Sequence, residues 1–415
     1  MAKYVIEGGN KLNGKIEAES AKNAVLPLLA GSILTEEKIY VKKCPKITDV
    51  ANMLCILKEL GCKIYEHGND VEIDSSSVNN YEIPDRLTRE IRSSIFMLGP
   101  LIARFHRAVV SYPGGCDIGV RPIDLHLDAL RKTGVEISEE EGKIICSADT
   151  ISGATIYLDF PSVGATENVM MAGVLAEGET IIHNPAREPE IIDLQNFLNK
   201  MGAKITGAGS DVIRILGVKK LRSAEHKPIA DRIEVGTFLI ATAINGGEVE
   251  IFGANCKKIS ALIDKLSDNT CKITSFNDII HITSKGTPKA VKLQTSPYPG
   301  FPTDLQAPIL SLACVGRGVS IITENIFETR FNQVSELIKM GADITIKDRT
   351  AVIKGKKNLH GAEVRAKELR GGAGLVLAGL KADGITYVND VYHIERGYVK
   401  FDEKLSSLGA KIKRE

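Results

Sequence analysis

Hydrophobic and polar positions in this chain follow two periods that alternate along it. Residues 169–175 form an apolar run rich in Ala and Met, which is typical of a buried helix. A short strand is predicted at 180–182, and apolar residues then recur at helical spacing across 191–201. Two further strands, 203–206 and 212–215, surround a glycine-rich turn. The pattern predicts the order strand, helix, strand, helix, hairpin.

The same arrangement is predicted six times. Each copy contains a helix-like run, a Gly or its equivalent, a small residue and a strand. The equivalent positions are 61, 134, 202, 270, 341 and 409, and only position 270 is not Gly. Glycine suits this place because it adopts the left-handed conformation that closes a helix C-terminus. A nearly constant interval predicts one supersecondary unit that is copied along the chain.

Six copies are too many for one hydrophobic core, so we predict an α/β protein with three copies in each of two domains. The boundary is expected near 226–228, where the third hairpin ends. A single solenoid is the alternative, but the terminal copies show no polar capping pattern. Periodicity leaves open whether the sheets or the helices lie inside.

Composition narrows the class of protein. The chain has 415 residues, 43% hydrophobic and 25% charged, with a net charge of +1, as in an ordinary soluble globular protein. Neither a nucleic-acid partner nor a membrane partner is therefore expected. Eight cysteines without a CxxC pair, and no secretory segment, favour a reduced, cytoplasmic protein. Without an HExxH motif, a P-loop or a Cys/His cluster, we predict no metal and no cofactor.

Basic residues recur at two equivalent places in the predicted repeats, the start of the first helix and the loop before the second. They are Lys22, Arg92, Arg232 and Arg370 in the first set, and Arg121, Arg187, Arg330 and Arg396 in the second. Helix N-termini attract anions, and a cation there adds to that field. We predict a small anionic ligand between the two domains, although each arginine alone could form an ordinary ion pair.

Residues 112–126 form the most unusual local segment, a loop with three Gly and two Pro that contains Cys116. Arg121 follows closely and would lower the thiol pKa from about 8.5. Cys116 is thus either a reactive thiol or a small core residue. The second interpretation is the one expected of Cys55, Cys146 and Cys314, which stand in apolar runs.

A second segment, 298–307, places Thr303 and Asp304 directly after a proline. That pattern is typical of a helix start, and on its own it favours Asp304 as an N-cap carboxylate. His126 is expected to be a packing or hydrogen-bonding residue. Residues 371–374 are rich in glycine but continue into an apolar run, which indicates a close-packed helix.

Several segments together resemble one family, in its order and essentially end to end. They are residues 21–24, 113–116, 121–126, 162–166, 301–304, 327–331 and 394–398. The chain resembles the UDP-N-acetylglucosamine 1-carboxyvinyltransferases, the enolpyruvyl transferases of bacterial peptidoglycan synthesis.

The resemblance implies two inside-out, barrel-like α/β domains, each of three βαβαββ units with buried helices and outer sheets. One domain would span 22–229 and include the cysteine loop at about 111–122. The other would combine 1–21 with 230–415, and the active site would lie in the cleft between them.

The implied reaction moves the enolpyruvyl group of phosphoenolpyruvate to the 3-hydroxyl of UDP-N-acetylglucosamine and releases phosphate. It is the first committed step of peptidoglycan synthesis, on which cell shape and division depend. The implied location is the cytoplasm, no cofactor is needed, and the oligomeric state stays open.

The resemblance also implies residue roles. Cys116 would donate a proton, could form an adduct with phosphoenolpyruvate, and would be the target of fosfomycin. Asp304 would sit at the attacking hydroxyl, while Lys22, Arg121 and Arg396 would hold phosphoenolpyruvate. The UDP-sugar site would comprise Asn23, Arg92, Arg121, Pro122, Ile123, Asp124, Leu125, Phe160, Pro161, Ser162, Val163, Asp304 and Ile326. Arg330 and Arg370 match further site arginines.

Three positions depart from the family pattern. Phe160 stands where many members have Lys, so a contact to the diphosphate is in question here. Glu19-Ser20 replaces a common Ser-Gly, and Glu368 replaces a common Asp.

Two rivals remain. A 3-phosphoshikimate enolpyruvyl transferase would share the architecture, but residues 21–24 do not match its N-terminal signature. A non-catalytic scaffold that binds anions would keep the arginines without needing Cys116.

Overall fold

Residues 2–90, 92–112 and 123–415 are described in the computed structural model, and they form two units. The C-terminal unit comprises residues 2–19 and 230–415, and the N-terminal unit comprises 20–112 and 123–229. The chain passes from one unit to the other at 19–20 and again at 229–230. The C-terminal unit therefore contains the first strands of the sequence.

The strands of the N-terminal unit and the two that precede it are short. They are β1 (Lys3–Glu7), β2 (Leu12–Glu17), β3 (Ile39–Val41), β4 (Lys63–His67), β5 (Asp70–Asp74), β6 (Arg107–Ser111), β7 (Glu136–Glu140), β8 (Lys143–Ser147), β9 (Thr155–Tyr157), β10 (Glu179–His183), β11 (Lys204–Thr206), β12 (Val212–Leu216) and β13 (Ala224–His226). The remaining strands are β14 (Gly247–Phe252), β15 (Cys271–Phe276), β16 (Ile279–Ser284), β17 (Lys292–Gln294), β18 (Val319–Thr323), β19 (Asp343–Lys347), β20 (Thr350–Lys354), β21 (Glu363–Arg365), β22 (Ile385–Asn389) and β23 (Lys411–Arg414).

Helices alternate with these strands. They are α1 (Lys22–Gly31), α2 (Thr48–Glu59), α3 (Asp85–Glu90), α4 (Leu98–Phe105), α5 (Asp124–Arg131), α6 (Val163–Gly173), α7 (Pro189–Lys200), α8 (Arg232–Asn245), α9 (Ser260–Ser267), α10 (Gln306–Val315), α11 (Val334–Lys339), α12 (Leu369–Lys381), α13 (Tyr392–Glu395) and α14 (Phe401–Ser407). Short 3₁₀ helices cover Ser32–Leu34, Arg92–Met97, Cys256–Ile259 and Thr303–Leu305.

The strands form separate mixed sheets, three in each unit, and no sheet of the described residues closes into a barrel. Their orders are β13-β3-β5-β4, β6-β8-β7 and β11-β12-β10-β9 in the N-terminal unit, and β15-β16-β14-β2, β17-β18-β20-β19 and β21-β22-β1-β23 in the C-terminal unit. Each four-stranded sheet has one parallel pair and two antiparallel pairs. In the three-stranded sheet, the parallel contact is a single bridge between Glu82 and Val109.

The N-terminal strands complete two sheets of the C-terminal unit. β1 lies between β22 and β23, so that Val5 faces Tyr387 on one side and Lys413 on the other. β2 runs parallel to β14, with Ile16 opposite Ile251. Backbone hydrogen bonds to both neighbours thus fix the register of β1.

Some helices are buried on every side, and most of their residues are apolar. All 14 residues of α8 are buried, and so are all ten of α10. α10 packs against α12 closely enough for the Ser311 hydroxyl to donate to the Gly374 carbonyl at 2.7 Å. No described helix is long and apolar enough to span a membrane.

The left-handed conformation predicted for the glycines that follow helices is confirmed at all five of them. Gly61, Gly134, Gly202, Gly341 and Gly409 have φ between 90° and 105°. Thr270, which replaces glycine in the fourth copy, also has a positive φ of 69°. The backbone conformation is kept there even though a β-branched side chain is strained in it.

Candidate active site

Asp304 lies in the 3₁₀ turn that leads into α10, and its carboxylate is held by two arginines. Arg330 Nη2 donates to Asp304 Oδ1 at 2.8 Å, and Arg370 Nη2 donates to Oδ2 at 3.2 Å. The N-cap of the turn is Pro302, with no side-chain cap. The N-cap alternative for Asp304 is therefore wrong, because its oxygens are turned to the two guanidinium groups.

Both arginines are buried, whereas the carboxylate is partly open. The side chains of Arg330 and Arg370 are 3% and 2% exposed, and that of Asp304 is 25% exposed. Burial alone would lower the pKa of Arg330, but the charges of Asp304 and Glu368 more than offset this and raise it. Arg330 therefore stays charged, and the guanidinium groups of Arg330 and Arg370 hold the Asp304 carboxylate in place.

Arg370 takes its place from the first turn of α12. Glu368 caps this helix, because its carboxylate accepts from the backbone N–H of Arg370 at 2.8 Å and from that of Gly371. The Arg370 guanidinium lies 5.2 Å from the ring centroid of Tyr398. The longer Glu368 thus keeps the capping interaction that an acidic residue supplies here.

Lys22 is the first residue of α1 in the N-terminal unit. Its Nζ lies 3.1 Å from Asp49 Oδ2, and the Asp49 side chain is only 3% exposed. Asn23 follows on the same turn, half-buried. The lysine is thus held by a buried carboxylate that the sequence reasoning did not identify.

Two predicted UDP-sugar segments begin neighbouring helices. Asp124 and Leu125 start α5, with Ile123 before them, while Ser162 caps α6 by accepting from Ala165 N at 3.3 Å. A cavity of about 400 Å³ borders the first segment at Leu125 and reaches Asp159, just before the second segment. It is lined by Leu125, Asp128, Lys132, Tyr157, Leu158 and Asp159, among others. Phe160, the next residue, is 42% exposed.

Other predicted site residues divide into described and undescribed ones. Cys116, Arg121 and Pro122 lie outside the described residues, as does the side chain of Arg92. Pro161 and Val163 are half-buried beside Ser162, and Arg396 is half-buried after α13. Ile326 follows β18 in the C-terminal unit, four residues before Arg330.

The structure tests the other cysteines and His126. Cys146 and Cys314 are buried, and burial raises the pKa of each thiol to about 12, so both are inert core residues as expected. The same expectation is wrong for Cys55, which is exposed on the outer face of α2. His126 is buried and its Nδ1 lies 2.8 Å from Asn168 Nδ2, as expected of a hydrogen-bonding histidine.

The sequence reasoning missed the residues that support the site. Besides Asp49, these are Glu324 and Thr303, the second of which was predicted only as part of a helix start. Hydrogen bonds link both to the Asp304 cluster, which comprises Asp304, Arg330 and Arg370. One signal was present, since Glu324 is an acidic residue directly after the apolar strand β18. In the described part of the chain, no group of three His, Cys, Asp or Glu side chains could hold a metal ion.

Comparison with known proteins identifies the class. The family model of EPSP synthase (3-phosphoshikimate 1-carboxyvinyltransferase) matches residues 6–405. Among solved structures, the enolpyruvyl transferase NikO from Streptomyces tendae matches with a TM-score of 0.90 and 24% identity, covering 100% of this chain and 98% of that one. EPSP synthase from Acinetobacter baumannii matches with a TM-score of 0.75 and 18% identity, and both chains are covered completely. These two likenesses establish the α/β enolpyruvyl transferase fold.

Curated relatives narrow the class. UDP-N-acetylglucosamine 1-carboxyvinyltransferase 2 of Caldanaerobacter subterraneus subsp. tengcongensis is 51% identical, with 100% of both chains covered. The UDP-N-acetylglucosamine 1-carboxyvinyltransferase of Geobacter metallireducens is 47% identical over 100% of this chain and 99% of the other. The chain belongs to the enolpyruvyl transferases and, within them, to the UDP-N-acetylglucosamine 1-carboxyvinyltransferase family.

Proposed function

We propose that the protein transfers the enolpyruvyl group of phosphoenolpyruvate to the 3-hydroxyl of UDP-N-acetylglucosamine and releases phosphate. The observation that carries this proposal is near-50% identity, over the full length, to relatives named for that reaction. The family model is named for the 3-phosphoshikimate activity, but this alternative is not favoured, because the full-length relatives at about 50% identity are named for the UDP-sugar. A non-catalytic scaffold is disfavoured for the same reason.

The Asp304 cluster supports the chemistry. Addition requires the sugar oxygen to bond to C2 of phosphoenolpyruvate while a proton reaches C3; elimination then removes phosphate and a C3 proton. One group must accept the hydroxyl proton and another must supply the proton to carbon. In this proposal Asp304 is the acceptor, and Cys116 is the donor. Arg330 and Arg370 fix both carboxylate oxygens, so the acceptor is oriented before the substrate arrives.

Phosphoenolpyruvate carries a carboxylate and a phosphate, so the proposal assigns it Lys22, Arg121 and Arg396. Arginine suits bidentate binding of such groups, and lysine provides a compact charge. The placement of Lys22 beside buried Asp49 supports this role, because the carboxylate holds the ammonium group in position.

The UDP-sugar would contact Asn23, Arg92 and the stretches 121–125 and 160–163, together with Ile326. The cavity beside Leu125 supports this assignment, because its volume lies within the usual range for ligand sites. Phe160 can pack against a ligand but cannot pair with a phosphate, so the diphosphate would depend on other cations.

The proposal includes the finer expectations of the family resemblance. Each unit would be an inside-out assembly of three copies of one βαβαββ element, with its helices inside, and the recurrent sheet pattern supports this. Fosfomycin would react at Cys116, and the reaction would serve peptidoglycan synthesis, and with it cell shape and division, in the cytoplasm.

The test is phosphate release from phosphoenolpyruvate, measured with and without UDP-N-acetylglucosamine. We expect release only with the UDP-sugar, and its loss after fosfomycin treatment. Asp304→Asn should lower kcat by roughly 10²–10⁴-fold, because the amide cannot accept the hydroxyl proton. Asp343→Asn is the control, since its salt bridge to Lys356 at 3.6 Å is exposed.

Circular dichroism would verify that both variants fold. Phosphate release that requires shikimate 3-phosphate instead of the UDP-sugar would contradict the proposal, and so would full activity of Asp304→Asn.

A further inference from the structure

Glu324 is a completely buried carboxylate next to the Asp304 cluster, and it accepts four hydrogen bonds from uncharged groups. The donors are Thr295 Oγ1 at 2.9 Å, Thr303 Oγ1 at 2.9 Å, Ile326 N at 2.9 Å and Phe327 N at 3.1 Å. Burying a carboxylate is costly unless its oxygens accept hydrogen bonds. Four hydrogen bonds to one carboxylate indicate that Glu324 is held rigidly in place.

One chain of hydrogen bonds connects Glu324 to Asp304. The Thr303 hydroxyl donates to Glu324 Oε2 and accepts from Arg330 Nη1 at 2.8 Å. The other terminal nitrogen of Arg330 donates to Asp304 Oδ1. A hydroxyl has only one proton, so the direction of this chain of bonds is fixed from Arg330 through Thr303 to Glu324.

A second set of hydrogen bonds connects Glu324 to the segment that contains Ile326. Thr295 Oγ1 accepts from the backbone N–H of Asn325 at 2.9 Å and donates to Glu324 Oε1. The same Oε1 accepts from the N–H of Ile326. A single carboxylate therefore joins two segments that the proposed function assigns to substrate, one with Asp304 and one with Ile326.

We propose that Glu324 and Thr303 are positioning residues that orient Arg330, and through it the Asp304 carboxylate, toward the substrate hydroxyl. This inference rests on the proposed function. Neither residue would touch a reacting atom. Their effect would be on kcat, because a carboxylate displaced by about 1 Å can cost roughly 10²-fold in rate.

The test uses Thr303→Val, which keeps the volume of the side chain and removes both hydrogen bonds of the hydroxyl. We expect a 10- to 100-fold lower kcat, of the order that misplacement costs, with KM for UDP-N-acetylglucosamine within about threefold. Thr303→Ser retains the hydroxyl and should recover most of the loss. Thr350→Val is the matched control, since its hydroxyl shares a 3.0 Å hydrogen bond with Thr323 on the neighbouring strand.

Glu324→Gln gives an independent measurement. Three donors face Oε1, so the amide oxygen of the Gln should take that position and leave its nitrogen facing Thr303. The nitrogen cannot accept from the Thr303 hydroxyl, so kcat should fall as in Thr303→Val. The double variant should be little worse than the worse single one, because both remove the same connection. Thermal melting of each variant separates loss of position from loss of fold.

The inference is overturned if Thr303→Val keeps the wild-type kcat, or if the two single losses multiply in the double variant. It is also overturned if Thr303→Ser is as slow as Thr303→Val. A wild-type protein without UDP-sugar-dependent phosphate release would instead refute the proposed function, so the two failures are distinguishable.

Discussion

At the scale of single residues, the fold buries the carboxyl group of Glu167. It lies in α6, and neither oxygen has a hydrogen-bond partner among the described residues. Burial, followed by the charges of Glu190 and Glu188, raises its pKa well above the ordinary 4.5. The folded protein therefore favours the neutral acid at this position.

This shift predicts a pH dependence of stability. The unfolded chain releases the Glu167 proton near pH 4.5, whereas the folded protein keeps it to higher pH. Above pH 4.5 the folded state thus binds more protons, and the free energy of unfolding falls as pH rises toward the raised pKa. Glu167→Gln keeps the shape and removes the titration, so its stability relative to wild type should increase across that range.

Urea unfolding at a series of pH values from 4.5 upward measures this difference. Glu177→Gln, at an exposed position, is the control and should follow the wild-type profile. Parallel pH profiles for wild type and Glu167→Gln would show that the group titrates normally in the folded protein.

Helix ends are the feature that the sequence specifies best at the scale of elements. The five glycines that follow helices were predicted to be left-handed and are so, because this conformation is nearly free of strain only for glycine. Thr270 adopts it too, between α9 and β15, where the surrounding elements dictate the backbone. The element thus overrides the preference of one residue.

Thr270→Gly should therefore stabilise the protein. The left-handed conformation costs an L-residue about 1–2 kcal/mol, and glycine avoids this strain. Glycine also increases the conformational entropy of the unfolded chain, which offsets part of the stabilisation. Since Thr270 is exposed and loses little packing, we expect a net gain of about 0.5–1 kcal/mol in the free energy of unfolding.

The measurement is equilibrium denaturation, with Gly202→Thr as the reverse change. A Cβ at Gly202 would meet nothing closer than 3.9 Å, so steric contact at Cβ is excluded. We expect Gly202→Thr to lose about 0.5–1 kcal/mol, which is the backbone strain less the same entropy contribution of the unfolded chain. A destabilised Thr270→Gly would mean that the threonine makes contacts worth more than its strain.

The path of the chain is the main feature at the scale of the whole molecule. Residues 2–19 join the C-terminal unit, where Tyr4, Ile6 and Leu12 are buried in its core. β1 is an interior strand, hydrogen-bonded to β22 and β23. Stability of this unit therefore depends on residues more than 200 positions away in sequence.

Deletion of residues 1–19 should accordingly prevent the 230–415 segment from folding. Loss of β1 separates β22 from β23, and loss of β2 leaves β14 with an open edge. We expect rapid proteolysis of this segment and a reduced circular dichroism signal. A synthetic peptide of residues 2–19, added during refolding, should restore protection; a truncated protein as resistant as the full chain would contradict the prediction.

The candidate site shows how far sequence reasoning extends. The family resemblance predicted Asp304, Arg330 and Arg370 as separate site residues, whereas the local pattern alone predicted that Asp304 is a helix N-cap. The three meet only because the turn before α10, the loop after β18 and the start of α12 converge in the C-terminal unit. The supporting roles of Glu324 and Thr303 were not predicted, because they exist only where these segments converge.

The sequence by itself determined the local order of this protein: the alternation of helices and strands, the left-handed helix ends and the apolar runs typical of buried helices. These features depend on residues that are close together in the sequence, so the sequence alone is enough to predict them. Tertiary structure decided the partners of the polar groups, such as the bond between Arg370 and Asp304 across 66 residues. Such a bond forms only where packing brings two distant segments within about 3 Å, a distance that no local pattern encodes.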